Sequence, residues 1–153
     1  MPKWDTPVDF GKTWNQKKIF GSHKTYRGLV SGILMGMLIF YIQQKLYTHY
    51  PVLKSLSYFD YSSMSPWLGA WMGFSALVGD LVKSFFKRRF NIEPGNPWIP
   101  FDEIDWILGL LAGISFVFVP GWNLVLASLA VGVSLHFIIR RIGYLLHFVP
   151  TPL

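Results

Sequence analysis

The sequence contains no cysteine and few charged residues. Without cysteine, the chain forms no disulfide and offers no thiolate to a metal. Charged residues make up 14% of the sequence and hydrophobic residues 52%, whereas soluble domains contain roughly 25% charged residues. A length of 153 residues is that of one domain, so the composition predicts a single membrane domain covering residues 1–153.

Other absences exclude several functions. The first 27 residues lack the apolar run of a signal peptide. The 4 histidines have no metal-ligand spacing, and no serine occupies a nucleophile-elbow sequence. The net charge of +6 arises from short basic clusters beside apolar runs. Such clusters are topology signals of a membrane protein, and this pattern excludes nucleic acid as a partner.

Apolar runs predict four transmembrane helices, at residues 28–44, 66–82, 104–119 and 122–139, after a polar segment at residues 1–27. Of the 14 Lys and Arg residues, all but two flank these runs on one side. Because cytoplasmic loops carry the excess of basic residues, both termini are expected in the cytoplasm. The predicted fold class is an all-α polytopic protein of the cell membrane, embedded in membrane lipids, with a polar active site on the cytoplasmic side.

Glycines recur in the first two runs, at Gly28, Gly32 and Gly36 and at Gly69 and Gly73. Small-residue faces of this kind allow helices to pack closely. The packing partner is either a helix of the same chain or a second copy of it, so a homo-oligomer is a candidate assembly.

Residues 79–89 place an aspartate at the end of an apolar run and four cations after it. Asp80, Ser84 and Lys87 fall at i, i+4 and i+7, so they share one helix face that would suit a metal and a phosphate together. The alternative is a helix that ends at the membrane surface. In that case Asp80 pairs with Lys83 or Lys87, and the basic residues anchor the topology.

Residues 21–28 combine glycines with Lys24 and Arg27 directly before the first apolar run. Free amides at a helix N-terminus and nearby cations attract anions, so this segment is a candidate phosphate cradle. The alternative is a basic segment that contacts anionic lipid beside the membrane.

Three carboxylates, on Asp102, Glu103 and Asp105, stand where the third run begins. Acidic residues favour a helix N-terminus, and Asp102 is a natural N-cap. However, Asp102 and Asp105 share one face, and like charges there repel each other unless a cation lies between them. Together with Asp80 they predict an all-oxygen site suited to Mg²⁺.

At these residues the chain resembles the CDP-archaeol synthase family, a branch of the membrane CTP:phospholipid cytidylyltransferases. The resemblance covers most of the chain, and its motifs occur in the family's order. The matching motifs are Pro7-Val8-Asp9-Phe10-Gly11, Ile19-Phe20-Gly21-Ser22-His23-Lys24-Thr25-Tyr26-Arg27-Gly28, Gly79-Asp80-Leu81, Ser84-Phe85, Lys87-Arg88-Arg89 and Pro100-Phe101-Asp102-Glu103-Ile104-Asp105.

The resemblance implies transfer of a cytidylyl group from CTP to a lipid phosphate like archaetidic or phosphatidic acid, giving a CDP-lipid and pyrophosphate. It implies Mg²⁺ as the cofactor, bound by Asp80, Asp102 and Asp105. The implied catalytic residues are those three aspartates and Lys87. The implied nucleotide- and phosphate-binding residues are His23, Lys24, Thr25, Arg27, Ser84, Lys87 and Arg88.

Two differences from the family pattern lead to further expectations. Family members usually carry an apolar helix before the segment at Pro7, and this sequence begins close to that segment. Glu103 stands where glutamine is common. We therefore expect a shortened homologue that acts with a second copy, or a relative with another substrate. The alternative class is a non-catalytic membrane scaffold or small transporter subunit, in which the same charges are topology signals.

Overall fold

The computed structural model describes residues 4–93 and 96–147, and its fold is dominated by helices. The described elements are β1 (Thr13–Trp14), β2 (Lys17–Lys18), α1 (Tyr26–His49), α2 (Pro51–Leu56), a 3-10 turn (Tyr61–Ser63), α3 (Trp67–Arg89), α4 (Phe101–Ile114) and α5 (Trp122–Leu145). The strands β1 and β2 form a two-residue antiparallel hairpin in the N-terminal segment. The predicted all-α class is therefore confirmed, with this small hairpin added.

Two of the described helices, α1 and α5, are long and apolar enough to cross a membrane. The other two predicted spans fall in α3, which ends in a basic cluster, and in α4, which has only 14 residues. A 14-residue helix rises about 21 Å, less than a hydrocarbon core of ~30 Å. The four-span topology thus stays a prediction.

The helices extend beyond the apolar runs that predicted them. Helix α1 begins at Tyr26 because the Thr25 hydroxyl accepts a hydrogen bond from the Gly28 amide, and α3 continues through the whole basic cluster to Arg89. Helix α4 instead ends at Ile114, five residues before the predicted end of that span. Residues 115–118 form turn hydrogen bonds there in place of a further helical turn.

Glycines bring α1 and α3 into direct backbone contact. A Cβ atom on Gly36 would lie 2.6 Å from the Gly69 carbonyl oxygen and 3.0 Å from the Gly73 Cα. Gly32 also lies at this crossing, where a Cβ would meet the Leu77 side chain. The predicted glycine faces thus pack within one chain, and the homo-oligomer stays a prediction.

Helices α3 and α4 form a second close crossing. Added Cβ atoms on Gly79, Gly109 and Gly113 would collide with the Asp105 carbonyl, the Ser75 carbonyl and the Ser75 side chain respectively. Because these glycines have no side chain, the backbones of α3 and α4 touch. This contact fixes the position of α4 along the axis of α3. It thereby also fixes the relative position of the acidic and basic clusters.

The described chain buries few large apolar side chains. Its buried hydrophobic residues are Phe40, Ala70, Ile107, Leu111 and Ile114, whereas many Leu, Ile, Val, Phe and Trp side chains are exposed. Exposed apolar patches of this extent mark a surface that another apolar phase covers. For helices of this composition that phase is the hydrocarbon of a bilayer.

We predict that Gly36→Ala destabilises the protein by about 1–3 kcal/mol, because the methyl group overpacks the α1–α3 contact. The matched control is Gly28→Ala on the same helix, where the nearest atom to an added Cβ is the Thr25 hydroxyl at 3.6 Å. Both changes improve helix propensity equally, so their difference isolates packing. Thermal unfolding in detergent, followed by tryptophan fluorescence, measures it. Equal midpoints for the two variants would contradict the packing argument.

Candidate active site

The ammonium group of Lys83 lies between three carboxylates from two helices. Lys83 Nζ is 3.2 Å from Oδ1 of Asp80, 3.0 Å from Oδ1 of Asp102 and 2.8 Å from Oδ2 of Asp105. Its side chain is 14% exposed, and that of Asp105 is 6% exposed. The cation that the Asp102–Asp105 spacing requires is therefore Lys83, which the sequence analysis had considered only as an alternative partner of Asp80.

Two more lysines extend this ion cluster. Lys24 forms an ion pair with Asp80 across 56 residues of sequence. Lys87 Nζ donates to both carboxylate oxygens of Asp102, at 3.1 and 3.0 Å, and to the Asn96 carbonyl at 2.6 Å. The structure thus brings together the predicted residues Lys24, Asp80, Lys87, Asp102 and Asp105 around Lys83.

Asp102 does not cap α4 as predicted. The N-cap residue is Pro100, and Asp102 lies in the first turn. Its Oδ2 accepts a hydrogen bond of 2.6 Å from the Trp98 amide in the preceding loop. The carboxylate therefore ties that loop to Lys83 and Lys87, because its position inside the helix directs it towards α3.

Asp9 shapes the N-terminal segment that carries Lys24. It is 7% exposed and accepts hydrogen bonds from the amides of Gly11, Phe20 and Gly21. Burial alone would raise the pKa of Asp9, but these backbone hydrogen bonds lower it below the usual value. Gly11 and Gly21 have φ angles of +73° and +108°, which glycine adopts without strain. The resulting loop places residues 20–24 beside α3.

A polar cavity of about 370 Å³ lies between this loop and α3. Its walls carry four cationic side chains and no carboxylate. The lining residues are Phe20, Gly21, His23, Lys24, Lys83, Ser84, Lys87 and Arg88. An anion fits such a cavity, since four cations line it. It would share Lys24, Lys83 and Lys87 with their carboxylate partners.

An apolar groove of about 870 Å³ runs along the other side of the α3–α4 pair. Its floor is formed by the close crossing at Ser75, Gly79 and Gly109, and its walls carry large apolar side chains. Lys83 and Asp105 also line it. Lys83 therefore borders both the polar cavity and the apolar groove.

Two predicted nucleotide-binding residues, Thr25 and Arg27, are absent from the cavity lining. Thr25 caps α1. Arg27 pairs with Asp5 at 3.1 Å, with its side chain 66% exposed. Arg88 lines the cavity, and its phosphate-binding role stays a prediction, whereas its neighbour Arg89 donates to the Trp14 and Lys18 carbonyls and fixes the hairpin. In the structure, Arg89 therefore anchors the N-terminal hairpin to the end of α3.

The carboxylates do not form a ready metal site. Among residues 4–93 and 96–147, no group of three or more His, Asp or Glu side chains has a metal-binding arrangement. The reason is that the ammonium group of Lys83 stands between Asp80, Asp102 and Asp105. Glu103 takes no part in this cluster; it is 2% exposed, and its Oε2 has no hydrogen-bond partner in the described part of the chain.

The sequence analysis missed Lys83 and Asp9 as site residues. A signal for Lys83 was available, because it follows Asp80 by three positions and so lies beside it on a helix. The local signal for Asp9 is weaker, since only its Gly11 partner is two positions away, whereas the amides of Phe20 and Gly21 are 11 and 12 positions away.

Comparison with known proteins assigns the family. The family described as CarS-like CDP-archaeol synthase matches residues 4–152. The chain belongs to the CDP-archaeol synthase family. This membership places it in the enzyme class of lipid cytidylyltransferases.

Relatives from three archaea carry the same name. The CDP-archaeol synthase of Pyrococcus furiosus is 41% identical over 107 residues, which cover 69% of this chain and 59% of that protein. That of Methanospirillum hungatei is 31% identical, covering 95% of this chain and 89% of that protein. That of Archaeoglobus fulgidus is 35% identical, covering 96% and 84%.

A solved structure supports the same fold. It was reported as "Structural insight into an intramembrane enzyme for archaeal membrane lipids biosynthesis", and it superimposes with a TM-score of 0.68 at 28% identity. The match covers 87% of this chain and 77% of that chain. The helices described above therefore form the fold of an intramembrane enzyme.

We predict that Lys83→Met destabilises the protein by about 3–5 kcal/mol, because it leaves poorly exposed carboxylates without their shared cation. The control is Lys12→Met, which removes an exposed lysine of the N-terminal segment. Thermal unfolding in detergent compares the two. If Lys83→Met unfolds at the temperature of the control, the cluster does not depend on this ammonium group.

A second prediction concerns Asp9 and pH. Because its pKa is lowered in the folded protein, its stabilising effect is complete above the unfolded value of about 3.9 and is lost as pH falls through the folded value. We expect Asp9→Asn to weaken hydrogen-exchange protection of residues 9–21 at pH 7 and to remove most of the acid sensitivity of that segment below about pH 4. Unchanged protection at pH 7 would show that the carboxylate does not hold the loop.

Proposed function

We propose that this protein transfers the cytidylyl group of CTP to a lipid phosphate, forming a CDP-lipid and releasing pyrophosphate. One observation carries the proposal: the cation-lined polar cavity and the apolar groove adjoin at Lys83. An enzyme that joins a water-soluble nucleotide to a lipid needs both compartments and a shared reaction point. A scaffold or transporter subunit has no need for this convergence.

The polar cavity is the proposed CTP site. Lys24, Lys87 and Arg88 would hold the triphosphate, and His23 and Ser84 supply polar groups in the same lining. Arginine and lysine are suited to phosphate oxygens by charge and by their donors. Thr25 contributes through α1, whose N-terminus it caps, and Arg27 stands outside the lining at the start of that helix.

The apolar groove is the proposed site of the lipid acceptor. Lys83 and Asp105 are the charged residues of its lining, which continues past Lys83 to Phe86 and Phe90, and the rest of the lining is almost entirely apolar. A lipid of the archaetidic- or phosphatidic-acid type fits this division, because its phosphate needs a cation and its chains need apolar walls. The phosphate would then lie beside Lys83, at the border with the CTP cavity.

The reaction requires positioning and charge neutralisation more than covalent help from the protein. A lipid phosphate oxygen attacks the α-phosphorus of CTP, a new P–O bond forms, and the bond to the leaving pyrophosphate breaks. Lys83 would orient the attacking phosphate, while Lys24, Lys87 and Arg88 would offset the charge on the leaving group. Holding both anions in one geometry supplies much of the rate enhancement.

We propose Mg²⁺ as the cofactor, with Asp80, Asp102 and Asp105 as its candidate ligands. In nucleotide sites Mg²⁺ typically takes one or two carboxylates together with substrate phosphates. The all-oxygen donor set suits Mg²⁺, and Asp80, Asp102 and Asp105, which now pair with Lys83, would hold the ion together with substrate phosphates. When bound, Mg²⁺ would neutralise phosphate charge.

We propose that the site and both termini face the cytoplasm and that the protein resides in the cell membrane. The distribution of basic residues supports this orientation, since all but two of the 14 Lys and Arg lie outside the loop at residues 45–65. CTP would then enter from the side on which the basic clusters stand.

We predict that Asp80→Asn lowers cytidylyl transfer by about a hundredfold or more, because it removes a ligand charge from the reacting centre. If Asp80 served only as an ion-pair partner of Lys24 and Lys83, the change would lower stability by weakening the cluster and would leave the turnover of the folded enzyme largely intact. The assay uses radiolabelled CTP with archaetidic or phosphatidic acid over a Mg²⁺ titration.

The matched control is Asp60→Asn, which makes the same change at the N-cap of the 3-10 turn, outside the cluster. It should keep wild-type activity. Near-wild-type activity of Asp80→Asn at low Mg²⁺ would refute the catalytic role, and absence of CDP-lipid formation by the wild-type chain would refute the proposed function.

A further inference from the structure

An aromatic contact between the two walls of the apolar groove stands at the Trp71 end of its lining. Trp71 on α3 and Phe116, just after α4, meet edge to face with ring centroids 6.2 Å apart. The indole N–H of Trp71 also donates to the Gly113 carbonyl at 2.9 Å, which holds the indole across the groove floor. The lining of the groove does not extend past this pair.

The distance along α3 from Lys83 to this contact matches the length of a lipid chain. Lys83 and Trp71 both line the groove on α3 and stand 12 positions apart, so about 18 Å of helix separates them. One leaflet of a bilayer with a hydrocarbon core of ~30 Å offers about 15 Å. A hydrocarbon chain whose phosphate lies at Lys83 therefore reaches Trp71 near its end.

The walls of the groove between Lys83 and Trp71 are apolar. Val78 and Val82 on α3 and Ile104, Leu108 and Ala112 on α4 line it together with the floor of small residues. Apart from Lys83 and Asp105, the lining of the groove carries no charged side chain. The occupant is thus a hydrocarbon chain of the acceptor lipid.

We propose that Trp71 and Phe116 form an end stop that sets the length of the lipid chain the enzyme accepts. The inference rests on the proposed function, because it assigns the groove to the lipid acceptor. Chains that end before Trp71 are bound along their whole length. Longer chains must displace the Trp71–Phe116 contact or bend out of the groove, and each poorly accommodated group lowers kcat/KM.

The test is a competition between two acceptors that differ only in chain length, difarnesyl and digeranylgeranyl glyceryl phosphate, with radiolabelled CTP. The ratio of the two products is the readout, because it does not depend on how much of a variant is folded. Phe116→Ala opens the end stop and leaves the Trp71 hydrogen bond in place, so it should shift the ratio towards the longer chain by about tenfold. Ala112→Phe fills the groove one turn earlier and should shift the ratio the other way.

The matched control is Trp67→Ala, one helical turn before Trp71 on α3. Trp67 is 71% exposed and does not line the groove, so the ratio should stay at the wild-type value. If the wild-type chain is active and neither Phe116→Ala nor Ala112→Phe moves the ratio, the end stop is overturned while the proposed function stands. If the wild-type chain transfers to no lipid phosphate, the proposed function fails and the end stop falls with it.

Discussion

The shared ion cluster around Lys83 is the interaction on which the site depends. Three carboxylates that each lie within 3.2 Å of one ammonium nitrogen would repel one another strongly in a poorly hydrated region without that cation, and the ammonium group of Lys83 offsets the repulsion. Because Asp80 belongs to α3 and the other two carboxylates to α4, the same cation also fixes the two helices to each other. The cavity and the groove both border it, so its position defines where nucleotide and lipid meet.

The small residues between α3 and α4 make this arrangement possible. Gly79 and Gly109 let the two backbones touch, and only at that distance does a lysine on α3 reach Asp105 on α4. The same contact gives the apolar groove a floor of small residues, flanked by large apolar side chains. One packing feature thus builds the polar and the apolar side of the site together.

The N-terminal segment completes the site from a distance in sequence. Asp9 folds residues 9–21 through backbone hydrogen bonds, and Arg89 fixes the hairpin to the end of α3. As a result Lys24 reaches Asp80. The cationic wall of the cavity therefore depends on a loop whose shape is set by hydrogen bonds to main-chain groups, which tolerate many side chains and leave little trace in the sequence.

The sequence alone determined the membrane class, the helical fold and the set of chemical groups, because hydropathy and charge spacing are local properties. It also placed Asp80, Ser84 and Lys87 on one helix face, since helical periodicity requires it. Only the tertiary structure decided that Lys83 is the shared cation, that Asp102 ties a loop instead of capping α4, and that Trp71 meets Phe116. These features depend on the point along their axes at which α3 and α4 cross. That crossing point follows from packing between residues far apart in the chain.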